Sequence, residues 1–105
     1  MKIELLYFDG CPSWQRDLEN LKSALEPEGI ESNVQLVRVQ DDRGAMRSRF
    51  IGSPSFRVNE SELWPEEREV YMLSCRVYPS SEGIKGWPTV PMLRQKLRDA
   101  IHSGF

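Results

Sequence analysis

The chain has 105 residues, of which 39 % are apolar and 29 % charged, with a formal charge of −2. That length suits a single domain spanning 1–105, and the composition excludes a disordered or membrane-embedded chain. Basic and acidic residues are interleaved, which argues against a phosphate-neutralising surface, so no nucleic-acid partner is expected.

Residues 2–8, KIELLYF, form a short apolar run closed by Asp9-Gly10 and predict a buried strand. In 13–29, SWQRDLENLKSALEPEG, the residues Trp14, Leu18, Leu21 and Leu25 recur at spacings of four, three and four. That is one apolar stripe of a helix. Pro12 fits its first turn, where a missing N–H costs nothing, and Pro27 with Gly29 stops it. Residues 33–40, NVQLVRVQ, read as a second strand, parallel to the first because a helix connects them. A short helix is expected over 41–50, with Ala45, Met46 and Phe50 as its apolar side.

Ser55 to Val58 predicts a third strand starting just after Pro54 and ending in the turn residues Asn59-Glu60. Residues 60–70 read as an irregular insertion. Val70 to Tyr78 predicts a fourth strand, with Leu73, Cys75 and Val77 on one face and Arg76 and Tyr78 on the other. After a Pro/Ser/Gly-rich loop, Thr89 caps a last helix carrying Val90, Leu93, Leu97 and Ile101. Interleaved helices and strands of this kind belong to the α/β class.

The opening apolar run is too short for a signal peptide, and no segment approaches the roughly 18 apolar residues of a spanning helix. No membrane partner is therefore expected, and the expected location is cytoplasmic. In that reducing compartment the two cysteines suit a reactive thiol, a transient disulfide, a soft-metal pair or plain core thiols. A zinc-finger type of site is excluded, since there is no second Cys-x-x-Cys and His102 is the single histidine.

Cys11 lies between the first strand and the first helix, in the turn FDGCPSW. A thiol at a helix N-terminus faces unpaired N–H groups and the positive end of the macrodipole, which favour thiolate. Thiols so placed have pKa values about 1–5 units below the free value near 8.5. Ser13 either hydrogen-bonds that thiolate or serves the helix start. Trp14 stands where a Cys-x-x-Cys pair would have its second sulfur, and it either packs or contacts a ligand. Leu73 and Val77, beside Cys75 on one strand face, favour a core thiol. Partnership with Cys11 is the alternative.

The element order, GCPSW at the first turn, Gly52-Ser53-Pro54 before the third strand, and LSCRVY together resemble small bacterial thioredoxin-like proteins over nearly the whole chain. The resemblance implies a thioredoxin-like fold, a four-stranded mixed sheet with helices on both faces. It implies Cys11 as nucleophile and Pro54 as a cis-proline facing it. Ser53 would then present its N–H and C=O to an extended substrate, which pairs as an added strand. Pro12, Ser13, Trp14, Ser53 and Pro54 are the substrate-binding candidates, with Cys11 and Cys75 the catalytic ones.

The leading expectation is a thiol–disulfide oxidoreductase working through Cys11 and a mixed disulfide, released by an external thiol or by Cys75. Its partners would be protein or low-molecular-weight thiols and disulfides, with no cofactor and no resident metal. A second reading is soft-metal or organomercurial handling by Cys11 and Cys75, at a separation similar to that in organomercurial lyases. The acid which those enzymes carry after their first cysteine is replaced here by Trp14. A third is a non-catalytic binding module using the sheet edge and Trp14, Trp64 and Trp87.

Overall fold

The computed structural model describes residues 2–11, 14–29 and 34–102. The strand predicted at the start is β1 (Ile3–Tyr7), and it lies at the centre of the sheet. It pairs in parallel with β2 (Gln35–Arg38), Leu5 opposite Leu36, and antiparallel with β3 (Ser55–Val58), Leu5 opposite Phe56. The outer edge of β3 carries β4 (Ser61–Glu62), antiparallel, so the four-stranded mixed sheet has the order β2-β1-β3-β4. Among the described residues three helices accompany these strands: α1 (Trp14–Leu25, followed by a 3-10 turn at Glu26–Glu28), α2 (Asp42–Ser48) and, after the last strand, α3 (Val90–His102).

The period-two alternation of the strands sorts the core into two layers. Ile3 and Leu5 of β1 and Phe56 and Val58 of β3 bury themselves against Leu21, Ala24 and Leu25 of α1 and Leu93, Leu97 and Ala100 of α3. Leu6 points the other way and packs with Val39, Ala45 of α2 and Phe50. Fully burying each such large side chain is worth about 1.5–3 kcal/mol, so these clusters hold the sheet in place. The predicted caps are present. Gly29 ends the 3-10 turn at φ 65°, and the Thr89 hydroxyl accepts from the Met92 N–H at 3.3 Å. Asp41 caps α2 by accepting from the Gly44 N–H at 2.7 Å. Met46, expected on the apolar side of α2, is 65 % exposed.

The predicted fourth strand is not formed. Residues 70–77 are irregular, and only Tyr78 enters a strand, β5 (Tyr78–Ser80), which folds back on β6 (Gly83–Lys85) as a separate hairpin. The edge of β3 that it was expected to use is taken at Arg57 and Val58. Asn59 and Glu60, at φ 50° and 72°, close a two-residue hairpin that lays β4 on the edge the later segment was expected to use. The fourth strand of the sheet therefore comes from the region read as an irregular insertion. Tyr78, expected to face away from the core, is 2 % exposed and packs with Phe56 and Trp64.

Candidate functional site

Three pieces of chain converge at one end of the sheet. The first is the turn after β1, where the Cys11 N–H donates to the Phe8 carbonyl at 3.2 Å and folds the chain back toward α1. Trp14 opens α1 half-buried and stacks on Tyr7, ring centroids 4.5 Å apart, so this aromatic pair supports the turn from the strand side. Pro12 and Ser13, the substrate-contact candidates between them, lie outside the described residues.

The second piece is Gly52-Ser53-Pro54, with the Ser53–Pro54 peptide cis. Ser53 is buried, and its carbonyl oxygen lies 3.6 Å from Cys11 Sγ. Pro54 is fully buried, and its carbonyl accepts from the Tyr78 hydroxyl at 2.6 Å. Burial pushes that phenol well above its ordinary range, so it remains a donor at any working pH.

The third piece is the segment Ser74-Cys75-Arg76. The Ser53 N–H donates to the Ser74 carbonyl at 2.7 Å, and the Arg76 N–H donates to the Ser53 carbonyl at 2.8 Å, a single parallel bridge centred on Cys75. This overturns the expectation that Ser53 offers free backbone groups to an added substrate strand: both groups are engaged by the chain itself. The bridge also carries Cys75 to Cys11. The two are joined by a disulfide across 64 positions, with Cα atoms 6.1 Å apart, inside the span such a bond needs. Cys11 is 6 % exposed, while Cys75 is exposed. The core-thiol expectation for Cys75 fails for the same reason as the fourth strand: its segment pairs only with Ser53, just before β3, and leaves the residue exposed.

Arg76 anchors this segment. Its guanidinium donates to the Trp64 carbonyl at 3.0 Å, pairs with Glu66 at 3.6 Å and lies 5.1 Å over the Tyr78 ring. Its aliphatic stem crosses directly over Gly52, where a Cβ would collide with the Arg76 Cγ and where φ is +117°. Space and backbone both require glycine there. Gly52→Ala is expected to cost about 2–3 kcal/mol, the usual cost of strained backbone plus a displaced side chain. Chemical denaturation checks this, and an unchanged midpoint would refute it.

One residue of this region escaped the sequence reading. Asp17 of α1 is 0 % exposed, and among the described residues neither carboxylate oxygen has a hydrogen-bond partner. Burial pushes its pKa up to about 8, against a smaller opposing pull from Arg16. The signal was present: Asp17 lies three positions after Trp14 and four before Leu21, on the apolar stripe itself. Arg16 turns instead to Trp87, its guanidinium 4.7 Å from the ring centroid.

Among the described residues, no group of three or more His, Cys, Asp or Glu side chains could hold a metal ion, and no helix is long and apolar enough to cross a membrane. Compared with known proteins, the chain matches no family model, no curated protein and no solved structure.

Proposed function

We propose that the chain is a thioredoxin-like thiol–disulfide exchange protein whose redox pair is Cys11 and Cys75. The observation that carries this reading is the bond between two sulfurs 64 positions apart, held beside the buried Ser53–Pro54 peptide by backbone hydrogen bonds on both sides of Cys75. Cys11 has no neighbour in a Cys-x-x-Cys arrangement, and Cys75 takes that place from a distant part of the chain. The overall reaction consumes two external thiols. They leave as one disulfide, and the protein gains two electrons and two protons as a pair of thiols. The reverse reduces an external disulfide. Cys11 lies three positions before Trp14, the first residue of α1, and a helix start near it would support a thiolate once the bond is reduced.

Equilibration of the protein in mixtures of a small thiol and its disulfide tests this. Both cysteines are expected to become free together, in one reversible two-electron transition, with the protein folded throughout. Cys11→Ser or Cys75→Ser is expected to abolish the transition. A bond that opens only on unfolding would mark a structural staple and refute the proposal.

The reduced pair also favours soft metals as a second reading. Two thiolates with no third ligand among the described residues suit a two-coordinate soft cation and no harder metal. Metal uptake that needs both sulfurs and competes with closure of the disulfide is the expected result on that reading.

A further inference from the structure

We infer that Cys75, not Cys11, is the sulfur that exchanges with the external thiol, and that Cys11 is the internal partner that opens and recloses the bond. The assignment rests on the exchange reading above and adds its direction. It starts from the unequal surroundings of the two sulfurs. Cys11 keeps 6 % of its surface, at the end of the turn after β1 and against the Ser53 carbonyl, whereas Cys75 is exposed on the irregular segment 70–77 beside Ser53.

Exchange at a disulfide depends on which sulfur is attacked and on access to it. The incoming thiolate approaches in line with the bond, from the side of the attacked sulfur away from its partner. For Cys11 that approach must pass through the fold, because almost no surface of this residue is open on any side. For Cys75 it comes from solvent. The thiolate therefore forms a bond to the Cys75 sulfur. The Cys11–Cys75 bond breaks, and its electron pair leaves on Cys11 as a thiolate. A second molecule of the same thiol attacks the external sulfur of the mixed disulfide, releasing the external disulfide and leaving both protein thiols reduced. In reverse, Cys75 attacks the external disulfide, and Cys11 then attacks Cys75 to expel the second thiol.

The segment carrying Cys75 is built to survive these steps. The Ser53–Ser74 and Arg76–Ser53 hydrogen bonds do not involve the sulfur. Arg76 stays anchored to the Trp64 carbonyl and Glu66, 11 % of its side chain exposed. Opening the bond therefore leaves Cys75 within reach of Cys11, and the internal reclosure needs no rearrangement of the chain. The same hydrogen bonds keep Ser53 closed to an extended strand, so the external thiol needs no backbone pairing to reach its target.

The test uses the oxidised wild-type protein and 2-mercaptoethanol at less than one equivalent, so that no second thiol removes the adduct. The reaction is quenched in acid at early times and the two cysteines are mapped by mass spectrometry. The expected product carries the mercaptoethanol adduct on Cys75 and a free thiol on Cys11, in at least about tenfold excess over the opposite arrangement. An adduct found on Cys11 in equal or greater amount overturns the assignment while leaving the exchange reading intact. A bond that a large excess of the thiol leaves closed in the folded protein overturns both.

Discussion

Replacing Asp17 with asparagine is expected to stabilise the folded protein at neutral pH by about 4 kcal/mol and to have almost no effect near pH 3.5. Asp17 is fully buried with both oxygens unpartnered among the described residues, and its pKa is pushed from 3.8 to about 8 by loss of hydration. The sign follows from proton counting. Between these values the unfolded chain has released the proton and the folded chain still holds it, so stability falls as pH rises through this window and levels off above it. The slope is about 1.4 kcal/mol per pH unit, which over the three units from the unfolded value to pH 7 gives the stated gain. Asparagine keeps the size and polarity of the protonated acid and cannot ionise, so its stability profile should lose that slope. Denaturant titrations of both proteins at several pH values measure this. Parallel profiles would mean that Asp17 is hydrated or paired in solution.

Asp17 also marks the boundary between what the sequence shows and what it hides. The stripe Trp14, Leu18, Leu21, Leu25 and the spacing Val90, Leu93, Leu97 predict α1 and α3 because periods near 3.6 leave one face to bury, and that face is buried. β1 and β3 were legible from short apolar runs bounded by turn residues. The same spacing places Asp17 on that buried face, but it does not say whether an acid caught there finds a hydrogen-bond partner. The path of 70–77 was hidden for a different reason. VYMLSCRVY has strand composition, and its failure to pair depends on Asn59-Glu60 closing a hairpin at positive φ, a conformation that glutamate rarely signals. Once β4 takes that edge, Cys75 is left to cross beside Ser53. The meeting of Cys11 and Cys75 rests on the backbone bridge between Ser53 and Cys75, which no local reading of either cysteine contains.

Loss of the Cys11–Cys75 bond is expected to cost about 4 kcal/mol, and the cost should appear once however the bond is removed. A link across 64 positions restricts the unfolded chain strongly, and loop-closure entropy for that length gives the magnitude. Cys11→Ser, Cys75→Ser, the double variant and the reduced wild type should therefore share nearly one midpoint in denaturant. The oxidised wild type should stand apart. A double variant losing twice the single value would show two independent packing roles and no shared bond. The magnitude also bears on function. A domain of this kind has about 5–15 kcal/mol of total stability, so the reduced form keeps a positive margin only if the two core clusters hold without the link. Those clusters, Ile3, Leu5, Phe56, Leu93 and their neighbours on one face and Leu6 with Phe50 on the other, contain neither Cys11 nor Cys75. Opening the bond therefore removes no side chain from either cluster, which is the separation of redox state from folding that exchange chemistry requires.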